Sequence, residues 1–583
     1  MASNPKQPLS NHFETDIVNG NRSNFNVGYK NRFSADFAYL YPAGLWDIPA
    51  DSHFECDLYS VLSSNPTLAP VLGKVKFRAE AYFVEKAAYV NRLRNNDRVP
   101  IDRNVPFPTT TPASYKYYYS PKSSIFDFLQ MYPSGWSSSY INGDSPTDAT
   151  PSLNAIPFLM YYDIYRNYYI NPQDDNIPIR VYGYYPPTGA EHDTYHPIED
   201  MYVRRNDFDD FITEARDSSD VFRDFEGSFG FYPLPQGRSS DFGLNSSVSD
   251  FLHARGAHRC LLRRTLNNDF FTSFVSNDNV ELMKRYTKVN SVLIDGQNSI
   301  SVQQIALANK NWRIATRSLL WGTDWKDFNK VHYGVELLIP YGKPQFLGAI
   351  SSDVVFNDVI SQAQTGDNSS NSNDVSANTN LASRAGLAFG ALQNAKDKHF
   401  IEFNTKDEGY VMVLISLVPE VDYYQGIDPM YFKTNLQHSW MQELNSVGMQ
   451  DFMRAWASVV PNSDSLGNTR PWSQFNIAVW QVPIWFEYMA KYNQLHGDFT
   501  ADFLNRYWTF ARPFDDFYSL FGQGVINDPT SQSTLDFNGS SYCLPEMFNY
   551  IFANVAGQDN FQIQVRFDAR LNCMLDKQVI SYL

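Results

Sequence analysis

Cysteine is scarce and scattered. The 583-residue chain has four, Cys56, Cys260, Cys543 and Cys573, with no CxxC pair, a spacing that suggests neither a zinc site nor a dense disulfide scaffold. Long apolar runs are missing as well. Nowhere do 18 consecutive apolar residues occur, and the opening MASNPKQPLSNHFETD lacks an apolar signal core, so the expectation is synthesis in a reducing cytoplasm without secretion or membrane insertion. Charged residues are few, 19% of the chain, and basic ones are the minority, giving a net charge of -16. That excludes the uniformly basic surface of a typical nucleic-acid binder; any contact with nucleic acid must be local.

The usual signatures of catalysis are absent too. There is no GxSxG, HExxH, Walker A or GxGxxG after a strand, and the nearest glycine-rich piece, RAGLAFGAL at 384–392, lacks the spacing and the lysine of a phosphate loop. No pair among the 63 acidic residues stands out as a glycosidase dyad, which needs a defined separation across a cleft. Asp174 with Asp175, and Asp209 with Asp210, have the oxygen ligands a calcium ion takes, but such clusters are more often solvated turns. The expectation is a protein with no catalytic role, no cofactor and no metal.

Aromatics, in contrast, make up 16% of residues. With so little charge beside them, large assembly interfaces are one explanation, since aromatics are enriched and charges depleted there; a tyrosine-lined core or carbohydrate-binding faces are the others. The periodicity points to strands. VKFRAEAYFV puts Val75, Phe77, Ala79, Ala81 and Phe83 on one face and Lys76, Arg78, Glu80 and Tyr82 on the other, a half-buried strand. FQIQVRFDARL alternates in the same way from Phe561 to Leu571. Val411 to Val418 is apolar except for Ser416, the length and composition of a strand buried on both faces, and Pro419 ends it before the aromatic connection of Tyr423, Tyr424 and Gly426. These strands lie far apart in sequence, so one sandwich would have to be assembled from distant segments.

Helices are fewer. IPFLMYYDIYRNYYINP has Pro157 near its start and Asn171-Pro172 at its stop, with aromatics on most sides, and so must be buried or clamped. DFDDFITEAR at 207–216 is a short amphipathic piece, and Ile305, Ala308, Trp312, Ala315 and Leu319 follow helical spacing after a Ser301/Gln304 capping box. Residues 1–25 read as a flexible N-terminal arm and 365–380, TGDNSSNSNDVSANTN, as an exposed loop. One basic concentration stands out: HARGAHRCLLRRTLNN gathers His253, Arg255, His258, Arg259, Arg263 and Arg264 with no acid between Asp250 and Asp269. On an acidic chain these arginines would neutralise phosphates, meet a neighbouring subunit's carboxylates, or pair within the chain.

Several segments together are similar to the major capsid proteins of the Microviridae, the small tailless single-stranded DNA phages, particularly the gokushovirus and related branches. GYKNRFSADFAYLYPA resembles that family's first strand region, and IPFLMYYDIYRNYYINPQD its "LPFRAYNLIWNEWFRD" helix. NDFFTSF at 268–274 resembles "HDYFTS", ISVQQIALANKNW the helix that follows, HYGVE at 332–336 "HFGV", and KPQFLGAISSDV "RPEYLGG". GYVMVLISLVPEVDYYQGIDPMYF resembles the family's strand and "YQQG" turn. The order of these motifs across residues 28–432 matches, with fainter similarity to FDARLNCML. Residues 275–300 are short where gokushoviruses often carry a surface insertion, and 176–250 are longer than the common pattern.

The resemblance implies a mainly β protein, a single eight-stranded antiparallel jelly-roll β-sandwich over 26–583 with long loop and helical insertions at about 104–260 and 360–400. It implies a homo-oligomeric T=1 icosahedral shell around circular single-stranded DNA, assembled in the host cytoplasm and resident in the virion. Its implied partners are a small basic DNA-packaging peptide, a pilot protein and a host surface receptor. Arg255, Arg259, Arg263 and Arg264 are then expected at the genome or at an adjacent subunit. The alternative is a carbohydrate-binding or carbohydrate-cleaving β-sandwich.

Overall fold

The computed structural model describes residues 22–90, 153–170, 261–273, 343–359, 388–442, 478–500 and 559–575, with shorter pieces between them. The protein is mainly β, built on antiparallel pairing. Eight strands carry the core: β1 (Tyr29–Ala35), β2 (Tyr41–Ile48), β3 (Ser52–Ser64), β4 (Lys74–Glu85), β5 (Gln345–Val359), β6 (Ala388–Thr405), β7 (Gly409–Pro419) and β8 (Phe561–Cys573). Along the hydrogen-bonded path they lie in the order β1-β8-β3-β6 and then β5-β4-β7-β2, the two runs joined where the end of β5 meets the start of β6. Ser23–Asn26 forms a further short strand on the C-terminal end of β8, so the chain is already paired within the last residues of the expected arm; residues 1–21 lie outside the described residues.

The two runs face each other. Trp46 on β2, at one end of the path, packs its ring 5.0 Å from Phe567 on β8 and 5.5 Å from Phe54 on β3. Phe83 on β4 meets Phe403 on β6 at 5.3 Å. Those contacts are possible only if the path folds back so that one run covers the other, with the apolar faces inside. The alternation that forms the strands also fills this layer: β8 alternates buried with more exposed positions along its whole length, and Val75, Phe77, Ala79, Ala81 and Phe83 of β4 are all buried. β7 sits between β4 and β2 and is buried at every residue, as expected of a strand covered on both faces.

Two expectations need correction. The polar face of β4 was expected to meet solvent, yet Tyr82 is buried and Arg78 and Glu80 are only partly accessible. The reason is a helix, α1 (Ile156–Tyr168), whose last turns lie against that face, with the Tyr168 ring 4.8 Å from Tyr82. The insertion expected up to residue 400 ends earlier, because 388–400 already belongs to β6 and pairs with β3. The first strand region, GYKNRFSADFAYLYPA, holds two strands: the backbone leaves β1 after Ala35, takes a left-handed turn at Ala38 (φ 68°) and re-enters as β2 at Tyr41.

That crossing segment is buried. Phe37 packs against Phe510, Phe548, Phe552 and Phe561. A buried loop must still satisfy its backbone, and here Ala38 N–H donates to the Leu417 carbonyl at 2.8 Å while Leu40 N–H donates to that of Leu262 at 3.0 Å. α1 matches its expectation, with proline in its first turn and Asn154 Oδ1 accepting from Ile156 N–H at 2.9 Å. Nine of its residues are buried, so it is clamped on nearly every side. Lys310, Asn311, Arg313 and Ile314 are helical, in agreement with the spacing after Ser301, whereas 207–216 and 365–380 lie outside the described residues. Among the described residues no helix is long and apolar enough to cross a membrane.

Candidate functional site

The basic segment enters the described structure at Leu261 and runs across the outer face of β4 and β7, beside α1. It joins no strand of the sheet but bridges antiparallel to the crossing segment at Tyr39 and Arg263, and side chains of α1 add further hydrogen bonds. Tyr161 accepts from Leu262 N–H at 2.9 Å and donates to the Leu40 carbonyl at 2.9 Å, and Tyr165 donates to the Arg263 carbonyl at 2.8 Å. Arg264 N–H donates to the Ala38 carbonyl at 2.7 Å. A helix rich in tyrosine supplies both an apolar body and a polar tip, and here the tips fix an irregular chain in place.

Arg263 is fully buried, its guanidinium 5.7 Å from the Tyr39 ring. Arg264 forks onto Glu80: Nη1 donates to Oε2 at 2.7 Å and Nη2 to Oε1 at 3.0 Å, while Nη1 also reaches Ser416 Oγ at 3.0 Å. The Tyr169 hydroxyl donates to the same Glu80 carboxylate and accepts from Tyr82 at 2.9 Å. Arg78 Nη2 donates to Asn267 Oδ1 at 2.7 Å. Burial opposes the charge on Arg264, but Glu80 outweighs it and the guanidinium is held above its ordinary pKa. Burial, helped by Tyr82 and Glu80, keeps the Tyr169 phenol well above the usual range. The planar fork of arginine matches a carboxylate in two places, so this cluster locks residues 261–267 to the sheet.

Of the four arginines singled out from the sequence, Arg263 and Arg264 therefore lie inside the subunit, and the charge of Arg264 is met within the chain by Glu80. Arg255 and Arg259, with His253 and His258, lie outside the described residues. So do Asp174, Asp175, Asp209 and Asp210; among the described residues no three His, Cys, Asp or Glu side chains are placed to share a metal ion. The role of Glu80 was not drawn from the sequence. The available signal was the single acid on a strand face that also carries Lys76 and Arg78.

Downstream, the structure brings two of the quoted motifs together. Asp269 of NDFFTSF accepts from Phe271 N–H and Thr272 N–H, both at 2.9 Å, which closes the turn, and its other oxygen accepts from the Tyr423 hydroxyl at 2.5 Å. The Phe271 and Tyr423 rings are 4.4 Å apart. Beyond Tyr423, Gly426 runs so close to residues 456–457 that a Cβ there would sit 1.9 Å from the Trp456 carbonyl oxygen, and Ile427 N–H donates to the Ala455 carbonyl at 2.9 Å. The aromatic turn that follows β7 is thus a clasp with glycine at its tightest point. A second buried carboxyl, Asp36, accepts from Phe37 N–H at 2.9 Å, Asn549 Nδ2 at 3.1 Å and Asn560 Nδ2 at 3.3 Å; burial pushes its pKa up to about 6, with Asp559 nearby adding to the rise.

These arrangements join segments distant in sequence. No protein-family model matches the chain, and no curated protein matches it.

Proposed function

We propose that the chain is a structural subunit, the major capsid protein of a phage akin to the Microviridae, which assembles into a T=1 icosahedral shell around circular single-stranded DNA. The observation that carries the reading is the pairing order. The first strand pairs with the eighth, the second with the seventh, the third with the sixth and the fourth with the fifth, all antiparallel. The eighth also pairs with the third and the seventh with the fourth. This pairing order supports the reading of an eight-stranded jelly roll, an architecture used by viral capsids and by lectins. Of those two, the ordered motifs of the sequence favour the capsid, and the clasps that join NDFFTSF, the tyrosine-rich helix and the YYQG turn agree with motifs that serve the fold. A small basic packaging peptide, a pilot protein and a host receptor complete the proposed set of partners, and the virion is the proposed location.

The carbohydrate-binding alternative draws support from exposed aromatics at Tyr431, Trp440 and Tyr488, which are able to stack on sugar rings. Sedimentation velocity and negative-stain microscopy of the purified chain separate the readings: concentration-dependent closed particles are expected, and a monodisperse monomer that binds glycans overturns the capsid reading.

A further inference from the structure

Beyond the Tyr423 clasp the described residues present an apolar surface. Met430, Tyr431, Leu436, Trp440, Tyr488 and Met489 are between 49% and 78% exposed. Five of them come from two short 3-10 turns, Pro429–Phe432 and Leu436–His438, and from the helical turn Phe486–Met489, and Trp440 follows the second of these turns. Direct contacts hold these turns on one face: the Lys433 ammonium lies 3.6 Å from the centre of the Tyr488 ring, and Trp440 N–H reaches the Tyr488 hydroxyl at 3.4 Å. We propose that this face is a contact between copies of the chain, an inference that rests on the assembly reading above.

Area is the first argument. Six large side chains exposed to this degree present on the order of 800 Å² of mostly apolar surface, more than the few hundred Å² that monomers usually leave open. It is about one partner's share of a stable protein interface.

Charge is the second. Among the described residues the ions at this face are matched, Lys433 with Glu487 at 2.8 Å and Lys491 with Asp428 at 2.9 Å, so the described patch is close to neutral on a chain of net charge -16. Two copies repel one another over most orientations, and a neutral apolar face is where they approach without bringing surplus carboxylates together. The same pairing disfavours nucleic acid, which needs cations to neutralise its phosphates. It also disfavours a sugar. Saccharides are held by polar side chains around the stacking ring, whereas here two methionines and a leucine stand beside the aromatics and the four charged groups are paired with each other. Methionine adapts to irregular partner surfaces, which suits a contact between protein subunits.

The test compares the full-length wild type with Leu436→Asp and with the milder Tyr431→Ala/Met489→Ser, using light scattering to find the concentration at which particles form, far-UV circular dichroism and thermal melting to monitor the fold, and a panel of immobilised oligosaccharides. The expected result is unchanged melting in both variants, no glycan binding, and a threshold concentration raised roughly tenfold or more, because the loss multiplies over repeated contacts. A wild type that assembles with variants that assemble at the same threshold overturns the proposal and leaves the capsid reading standing. If Leu436→Asp alone loses its fold, the milder pair decides in the same terms. A wild type that stays monomeric, or that binds a sugar through Tyr431 or Trp440, overturns both.

Discussion

Removing Arg264 tests whether the buried fork to Glu80 holds the basic segment on the sheet. The two side chains are only 10% and 13% exposed, so Arg264→Leu leaves a carboxylate out of water with the Tyr169 hydroxyl as its remaining donor among the bonds described above. Breaking one half of a buried pair in this way costs about 3–5 kcal/mol. Glu80→Leu costs a similar amount, because the guanidinium then keeps only Ser416 Oγ as a described hydrogen-bond partner beside the Tyr169 ring at 5.2 Å. Replacing both with leucine removes the two charges together and leaves the Tyr169 and Ser416 hydroxyls short of a partner, a penalty of about 1–2 kcal/mol. The double variant is therefore expected to be more stable than either single one, with a coupling of several kcal/mol between the sites. Urea unfolding followed by tryptophan fluorescence measures all three against the wild type. Additive losses, with the double variant the least stable, would refute the view that the pair acts as a unit.

Further outcomes follow from the other clusters. Gly426→Ala drives a Cβ into the Trp456 backbone and should destabilise by about 3 kcal/mol, visible as a lowered melting temperature; unchanged melting would mean that the clasp has room. Asp36 holds its proton in the folded state up to about pH 6, against 3.8 for an unperturbed carboxyl, so the folded chain binds more protons than the unfolded one across that window and stability falls as pH rises through it. Asp36→Asn should flatten this part of the wild-type profile, and equal slopes in urea midpoints between pH 4 and 6 would exclude the assignment. For Arg255 and Arg259, changing both to Glu should leave shells able to form but reduce packaged DNA if they face the genome, or block shell formation if they face a neighbour. Full particles with normal DNA content, quantified by absorbance and nuclease protection, would remove both.

The strands that carry a clean period were legible. Val411 to Val418 shows no polar face and lies between two neighbours, and the alternation from Phe561 to Leu571 matches its burial residue by residue. Pro157 and Asn171-Pro172 bounded α1 because proline acts locally. The outer face of β4 was misread for the opposite reason: a two-residue period reports which side a residue faces but not what covers that side, and the partner of Glu80 is 184 residues away. β6 escaped notice because its first half, AFGALQNAKDKHF, mixes glycine with consecutive charges and gives no period; its pairing with β3 is a tertiary outcome. Of the basic cluster, the sequence showed the concentration but not its division, since Arg264 becomes interior only through a carboxylate on another strand.

We propose above that this chain is a shell-forming jelly roll. Cryo-electron microscopy of particles formed by the purified full-length chain tests it most directly. The account predicts an icosahedral T=1 shell with one copy per asymmetric unit, each copy a sandwich in which Tyr29–Ala35 lies against Phe561–Cys573 and β7 is covered on both faces. Absence of symmetric particles at any concentration, or a subunit in which the first strand does not pair with the last, would contradict it.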